Sequence, residues 1–331
     1  MIGFLDDLTK KVLDQEHIDF EEAEMLLSLD TQHNVMFLAA AANLIRYIYR
    51  GDEVDLCALL NAKSGKCSED CAFCAQSGHW KTEASIYPLV DEERMVEAAR
   101  EAKKIGADRF CIITSGKKVQ EDEFEVITKA LTRINREVGI SLDCSLGSIP
   151  EQWMATLREA GVTRYNHNLE TSQEHFPNIC TTHTFEERWN TAKTVSQMGM
   201  ERCCGGIIGM GETEIDRLNL AFSLRDLSAE CVTINILNPR PGTPLENLPP
   251  LHPIEIIKTI AIFRFILPSA TIKIAGGREL NLRDIQALAL SSGANGLIVG
   301  GYLTTSGRNF HDDIQMIKDL GLITKGEVVY G

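Results

Sequence analysis

Short apolar runs alternate with amphipathic helical segments along most of this chain, and this alternation restricts the folds that it can adopt. From about residue 51 onward, each apolar run is followed by a polar or glycine-rich turn and then by apolar residues at helical spacing. The predicted strands are 56–62, 109–114, 141–146, 164–169, 203–208, 231–237, 271–275 and 296–299. The predicted helices are 91–104, 121–137, 150–160, 185–198, 212–227, 253–267, 281–290 and 311–320. The pattern predicts an α/β fold with a parallel sheet, and eight units fit a closed (β/α)8 TIM-type barrel, with a doubly wound open sheet as the alternative.

The first 50 residues follow a different pattern. Apolar residues recur at helical spacing over 4–13, 20–27 and 35–49, with no apolar run of strand length between them. We therefore expect an N-terminal helical extension at residues 1–50 and a barrel domain at residues 51–331.

Composition and charge exclude several classes of function. The net charge of −14 argues against bulk binding of nucleic acid, which requires Lys and Arg to neutralise phosphates. The sequence has no run of apolar residues long enough to cross a membrane, and the N-terminal MIGFLDDLTKK carries acidic residues where a signal peptide has basic and apolar ones. We expect a cytoplasmic protein.

A cysteine triplet follows the first predicted strand. The segment SGKCSEDCAFCAQSG places Cys67, Cys71 and Cys74 in a C-x3-C-x2-C spacing. Three thiolates on one loop can hold a [4Fe–4S] cluster and leave one iron open to a substrate, whereas a structural zinc site or a ferredoxin requires a fourth ligand. Only His79 is near enough in sequence to be that ligand. The spacing favours an iron–sulfur cluster with an open iron over zinc and over free thiols.

The seven other cysteines also indicate metal or redox chemistry, because a reducing compartment does not favour disulfides. They are Cys57, Cys111, Cys144, Cys180, Cys203, Cys204 and Cys231. Cys57 and Cys180 are expected to be small buried apolar residues.

Five further motifs carry a resemblance to a known family. They are SEDCAFCAQS, YNHNLET at 165–171, CGGIIGMGET at 204–213, GTPLE at 242–246 and AGGRE at 275–279. With them, the chain resembles the radical S-adenosylmethionine superfamily and, within it, the biotin synthase family, over about residues 59–320.

The resemblance implies a reaction and its cofactors. The family converts dethiobiotin to biotin by inserting sulfur between two unactivated carbons. A [4Fe–4S] cluster and S-adenosylmethionine generate a 5′-deoxyadenosyl radical that abstracts hydrogen, and an auxiliary iron–sulfur cluster supplies the sulfur. A reductant protein such as flavodoxin or ferredoxin, and a homodimeric assembly, are also implied.

The resemblance further assigns residues to the cofactor and the substrate. The implied cofactor-binding residues are Phe73, Asn168, Glu170, Arg188, Gly205 and Gly206. The implied substrate-binding residues are Asn168, Asn235, Thr304 and Thr305. Arg188 would pair with the methionine carboxylate, a geometry that suits a guanidinium. His167 alternates away from Asn168 along its strand and is expected to pack behind it.

The sequence departs from the family pattern at the ligands of the auxiliary cluster. In the family pattern three cysteines and an arginine hold a two-iron cluster, and Cys111, Cys203 and Arg278 match that pattern. The remaining position falls on Asp143, while its neighbour Cys144 should point to the other face of a regular strand.

A cysteine on the sixth strand offers a substitute. Cys231 lies four residues before Asn235, so both side chains should face the barrel interior, where relatives commonly have serine. We expect Cys111, Cys203 and Cys231 to hold the auxiliary cluster together with Arg278, and Cys144 to join them if its strand bulges. This altered set suits a four-iron cluster. The opposite interpretation is that Cys231 and Cys144 are core thiols and the auxiliary site is vestigial.

Three other functions remain open at this stage. One is another radical enzyme of the same barrel type, such as a hydrogenase maturase or a methylornithine synthase. The others are a non-catalytic iron–sulfur carrier and a barrel held together by zinc.

Overall fold

Eight parallel strands form a closed ring at the centre of the molecule. The computed structural model describes residues 2–325. Each strand pairs in parallel with the next, and the first strand pairs with both the second and the eighth, which closes the barrel. The strands are β1 Glu53–Lys63, β2 Arg109–Thr114, β3 Ser141–Ser145, β4 Val162–Asn166, β5 Glu201–Ile208, β6 Cys231–Ile236, β7 Thr271–Ile274 and β8 Gly296–Val299. The predicted closed barrel is confirmed, and the open sheet is excluded.

Helices surround this ring and precede it. The N-terminal helices are α1 Ile2–Leu13, α2 Phe20–Leu27 and α3 Gln32–Arg50. The others are α4 Glu92–Lys104, α5 Glu121–Glu137, α6 Glu151–Glu159, α7 Phe185–Gln197, α8 Glu214–Asp226, α9 Pro253–Ile266, α10 Arg278–Leu282, α11 Gln286–Leu290 and α12 Phe310–Asp319. Capping boxes such as Thr184 with Glu187 on α7 define where several helices begin.

Three elements differ from the prediction, and the first two lie at the carboxyl end of the barrel. β4 ends at Asn166, so Asn168 and Glu170 lie in the loop beyond it. The predicted helix 281–290 is divided into α10, a 3-10 turn and α11. A short strand, β9 Ile323–Thr324, extends the sheet at the start of β1.

The N-terminal helices cover the outer side of the barrel. α3 packs on α9, and α2 packs on α8 and α9. α9 is buried on nearly all sides, which explains why its sequence PIEIIKTIAIFRFI lacks a clear polar face. The division of the chain at residue 50 stays a prediction, and residues 326–331 of the predicted barrel domain lie outside the described range.

Strand alternation assigns each side chain to the interior or to the helix layer. On β6, Val232, Ile234 and Ile236 belong to the apolar core shared with the helices, so Cys231 and Asn235 face the interior. In residues 2–325, no helix is long and apolar enough to cross a membrane.

Candidate active site

The loop that carries the cysteine triplet follows β1 and therefore lies at the carboxyl end of the barrel. Its backbone closes on itself, because Cys67 N donates to Gln76 O at 3.0 Å and Gly78 N donates to Cys67 O at 2.8 Å. Cys74 N donates to Cys71 O at 3.0 Å. All three thiols are free and partly exposed.

The surroundings of these thiols suit an anionic cluster. Burial raises the pKa of Cys67, while backbone hydrogen bonds from Glu69 and Gly116 oppose the shift. Burial likewise raises the pKa of Cys74 to about 11 against backbone hydrogen bonds from Gln76 and Ser77. Backbone donors aimed at cysteine sulfur are a recurrent feature of iron–sulfur sites.

His79 does not complete a zinc site with the triplet. Its Nε2 lies 2.9 Å from Ser68 O, so this ring nitrogen is engaged with the loop backbone. The role of the three thiols as ligands of a cluster with one open iron stays a prediction.

Three predicted cofactor-binding residues meet next to this loop. Arg188 Nη2 lies 2.8 Å from Glu170 Oε1, and Asn168 Nδ2 donates to Glu170 Oε2 at 3.4 Å. Arg188 also donates through Nε to the backbone oxygen of Asn168. Burial raises the pKa of Glu170, and the charge of Arg188 opposes that shift. Because Arg188 is only partly exposed and makes these contacts, it is not a surface ion pair.

The predicted glycines allow backbones to approach closely. A Cβ on Gly206 would lie 2.4 Å from Glu170 O, and a Cβ on Gly205 would lie 2.0 Å from Thr233 O. Glu170 itself has a φ of +71°, which a non-glycine residue rarely adopts. Gly206 thus lets the Asn168–Glu170 segment lie directly against β5.

Asn235 lies at the same end of the barrel, on β6. Its Nδ2 donates to Gly206 O at 3.3 Å, and its Oδ1 accepts a hydrogen bond from Gly276 N at 3.0 Å. These bonds hold the half-buried amide in one orientation.

The remaining predicted binding residues surround this area. Phe73 is half-buried and packs against the main apolar core. Thr304 and Thr305 lie in the loop after β8, which is tied to β1 because Asn61 Nδ2 donates to Leu303 O at 2.8 Å. Their roles in binding stay predictions.

The predicted auxiliary cysteines line the barrel interior. Cys203 and Cys231 are register partners on β5 and β6, with their sulfurs 3.1 Å apart. Cys111 on β2 accepts a hydrogen bond from Asn166 Nδ2 at 3.2 Å. Cys57, expected only as a buried apolar residue, packs with Cys111 inside the barrel. Cys57 and Asn61 are four residues apart on β1, so strand alternation indicates that they share one face of the strand.

Arg278 does not join these cysteines. It lies on α10, beyond the end of β7, and its guanidinium donates to the Tyr302 hydroxyl at 3.1 Å and to Gln286 Oε1 at 2.6 Å. Its third nitrogen pairs with Asp313 Oδ2 at 2.5 Å. Each guanidinium nitrogen of Arg278 is therefore engaged with the loop after β8, with α11 or with α12, contrary to the prediction.

Cys144 is also placed away from the interior. It belongs to the apolar core between the strands and the helices, whereas its neighbour Asp143 pairs with Arg109 on β2 at 2.8 Å. The pairing of β3 with β4 is irregular between Leu142 and Asp143, but this irregularity does not turn Cys144 inward. Cys204 lies in the same outer core, as alternation predicts.

Cations that the motifs did not indicate lie near the interior cysteines. Lys273 on β7 is buried and lies 3.0 Å from Asp55 Oδ1, and Arg164 on β4 pairs with Glu201 at 2.8 Å. A hydrogen bond from Cys203, together with the charges of Lys273 and Arg164, lowers the pKa of Cys231. The basic residue that β7 directs at the cysteines is therefore Lys273.

Comparisons with known proteins show which families and folds the chain resembles. The Radical SAM superfamily model matches residues 62–224, and the model of the Biotin and Thiamin Synthesis associated domain matches residues 233–323. A crystal structure of methylornithine synthase is 20% identical with a TM-score of 0.84, covering 96% of this chain and 97% of that one. A hydrogenase maturase from Carboxydothermus hydrogenoformans is 17% identical with a TM-score of 0.82, covering 97% of this chain and 79% of that one. At these identities, the likeness concerns the fold alone.

The fold and the cysteine loop together define a radical S-adenosylmethionine barrel enzyme. A biotin synthase from Pelotomaculum thermopropionicum is 49% identical over 317 residues, which cover 96% of this chain and 98% of that protein. One from Carboxydothermus hydrogenoformans is 50% identical over 317 residues, covering 95% and 97%. The chain belongs to the biotin synthase family.

Proposed function

We propose that this chain converts dethiobiotin to biotin, with S-adenosylmethionine bound at the cysteine loop. The proposal rests on one arrangement of residues. The loop of Cys67, Cys71 and Cys74 adjoins the Asn168–Glu170–Arg188 group at the barrel's carboxyl end, and three further cysteines line the interior of the same barrel.

Cys67, Cys71 and Cys74 would hold the [4Fe–4S] cluster. When bound, the cluster and S-adenosylmethionine supply a 5′-deoxyadenosyl radical, which is needed because side-chain acids and bases cannot break the C–H bonds of methyl and methylene groups. The protein's own contribution is to bind and orient both small molecules and to keep water away from them.

Charge and hydrogen bonding assign the binding residues. Arg188 would bind the methionine carboxylate through the guanidinium N–H groups that its contacts with Asn168, Glu170 and His183 leave free, while Glu170 would accept hydrogen bonds from the ribose hydroxyls. Asn168 and Asn235 offer amide donors and acceptors that match the ureido ring of dethiobiotin. The oriented amide of Asn235 supports this role.

Three other predicted residues complete the binding site. Phe73 would pack against the adenine or the cluster, and Thr304 and Thr305 would bind the substrate carboxylate.

Cys111, Cys203 and Cys231 would hold the auxiliary cluster that donates sulfur. Asp143 occupies the position where the family pattern has a cysteine and is already paired with Arg109, so Cys231 takes over as the third thiolate. We infer a four-iron cluster from this altered ligand set. Lys273 and Arg164 offset its negative charge inside the barrel.

Compartment, electron donor and assembly belong to the same proposal. A protein with ten free thiols requires a reducing compartment, so we place the enzyme in the cytoplasm. A flavodoxin or ferredoxin would deliver the electron, and a homodimer is the expected assembly.

Cleavage of S-adenosylmethionine tests the proposal against its alternatives. The reconstituted enzyme with reductant should form 5′-deoxyadenosine faster when dethiobiotin is added, and Asn235→Ala should reduce this stimulation. An iron–sulfur carrier would not cleave S-adenosylmethionine, and a hydrogenase maturase or methylornithine synthase would not respond to dethiobiotin. Cleavage that is indifferent to dethiobiotin would contradict the proposal.

A further inference from the structure

A second group of metal-ligating side chains lies beside the cysteine loop. Cys180 and His183 are in the segment just before α7, and Cys180 Sγ lies 3.9 Å from Cys71 Sγ. One ligand atom from each of Cys71, Cys180 and His183 lies within 4.8 Å of the other two. Cys180 was expected to be a plain buried thiol, and this contact shows that it faces the loop.

The spacing of the two sulfurs matches one edge of a tetrahedral metal site. With metal–sulfur bonds of about 2.3 Å, the edge between two sulfurs is about 3.8 Å, and Cys71 Sγ lies 3.9 Å from Cys180 Sγ. The imidazole of His183 lies beside this pair, with Cys180 Sγ 3.2 Å from Nδ1 and 3.8 Å from Nε2. A cation can bind all three side chains when the His183 ring rotates to direct a nitrogen between the sulfurs.

Two carboxylates support the group. Glu69 Oε2 lies 2.6 Å from His183 Nδ1, the carboxylate–histidine arrangement that orients the other ring nitrogen toward a metal. Asp70 Oδ1 accepts hydrogen bonds from Thr181 N at 2.9 Å and from the Cys180 thiol at 3.2 Å, so it fixes the position of Cys180.

One contact opposes metal binding and has to break before the metal binds. Arg188 Nη1 lies 3.2 Å from His183 Nε2, but the other nitrogens of Arg188 are held by Asn168 and Glu170. The loss of this single contact frees Nε2. Cys180 and His183 are 5% and 8% exposed, so a cation bound there would be largely shielded from water.

We propose that, in the cluster-free protein, Cys71, Cys180 and His183 bind one thiophilic divalent cation of the Zn²⁺ type, with the fourth position left to water. Because Cys71 is shared, this mononuclear site and the [4Fe–4S] cluster exclude each other. Zn²⁺ bound there would block assembly of the cluster until it is removed. The site goes beyond the proposed function and does not depend on the identity of the substrate.

Cobalt spectroscopy of the cluster-free full-length protein tests the site. Under anaerobic conditions, Co²⁺ should produce the visible bands of a tetrahedral complex and a thiolate charge-transfer band at one ion per chain, and Zn²⁺ should remove them. Cys180→Ala and His183→Ala should abolish the bands, while Glu69→Gln should weaken binding roughly tenfold to a hundredfold.

Matched controls separate this site from the triplet itself. Cys67→Ala, Cys74→Ala and the outer-core variant Cys204→Ala should retain the bands. If the first two variants lose the bands and Cys180→Ala keeps them, the cation sits on the triplet and the proposal is wrong. X-ray absorption of the wild-type complex needs no variant, and it should show two sulfur neighbours and one imidazole; three sulfurs without imidazole, or no tetrahedral complex, would overturn the site.

Discussion

Charged side chains lie close to cysteine sulfurs inside the barrel. Lys273 pairs with Asp55, Arg109 pairs with Asp143, and Arg164 contributes a further cation next to Cys231. Buried ions are retained only when they are paired, and here each cation has a carboxylate partner, while the charges of Lys273 and Arg164 also act on Cys231. An anionic cluster in this position would be stabilised by Lys273 and Arg164.

Lys273→Met should therefore remove the auxiliary cluster while the cluster on the triplet remains. On a background with Cys67, Cys71 and Cys74 all replaced by Ala, Mössbauer spectra isolate the auxiliary cluster. We expect a four-iron signal that is lost in Lys273→Met and largely restored in Lys273→Arg. Lys258→Met on α9 is the control, because this lysine is also buried but pairs with Glu214 outside the barrel. A plain two-iron signal would contradict the four-iron assignment.

His167 should make the fold sensitive to acid. Burial lowers its pKa well below the usual 6.5, and its Nε2 has no hydrogen-bond partner among the described residues. Because folding lowers the pKa of this histidine, its contribution to stability is fully present above pH 6.5, the pKa in the unfolded chain. The contribution is lost as the pH falls toward the lower pKa of the folded state. At pH 5.5 the loss is about 1.4 kcal/mol.

Anaerobic urea unfolding at pH 7.5 and pH 5.5 measures this effect. Between the two pH values, the free energy of unfolding of His167→Leu should fall by about 1.4 kcal/mol less than that of the wild type. The exposed His311→Leu should behave like the wild type. Equal pH dependence in His167→Leu and the wild type would show that His167 is not held neutral.

Contact between the loop after β4 and strand β5 positions the cofactor-binding group. Ile207 N donates to Glu170 O at 2.8 Å, and Glu170 N donates to Gly205 O at 3.1 Å. Only a residue without Cβ permits this approach at Gly206. The same loop carries Asn168 and anchors Arg188, so its position determines the geometry of all three residues.

Gly206→Ala should displace this loop. We expect a loss of about 1–3 kcal/mol of stability from the steric clash, together with weaker binding of S-adenosylmethionine. Gly3→Ala on α1 is the control, because no atom lies within 4 Å of its added Cβ. Thermal unfolding and equilibrium binding measure the two effects. Unchanged binding of S-adenosylmethionine in Gly206→Ala would show that the position of this loop does not affect the cofactor site.

Strand periodicity allowed much of this arrangement to be predicted. β2 and β8 have the predicted bounds, and alternation on β6 correctly grouped Cys231 with Asn235 on one face. Arg278 was misplaced because the AGGRE motif runs past the end of β7 into α10.

The contact of Cys180 with Cys71 could not be predicted in the same way. The two residues are 109 positions apart on separate loops, and local patterns do not determine which loops meet. The cations near the interior cysteines were missed for a related reason. β7 is buried throughout, so the polar Thr271 and Lys273 were the only sign of its inward face.

At the scale of the whole molecule, the barrel separates two tasks along its axis. The cysteine loop and the Asn168–Glu170–Arg188 group lie at the carboxyl end, while the cysteines of β2, β5 and β6 lie within the ring. The N-terminal helices and α9 cover one side of the barrel. A substrate bound near Asn235 would lie between the source of the radical and the source of the sulfur.

An anaerobic single-turnover assay tests this account most directly. The reconstituted enzyme is mixed with dethiobiotin, S-adenosylmethionine and reductant, and biotin and 5′-deoxyadenosine are measured by mass spectrometry. The account predicts biotin from the wild type, and 5′-deoxyadenosine without biotin from Cys111→Ala, Cys203→Ala and Cys231→Ala. Neither product should form in Cys71→Ala. Absence of biotin from the wild type, or full biotin yield from Cys231→Ala, would contradict the account.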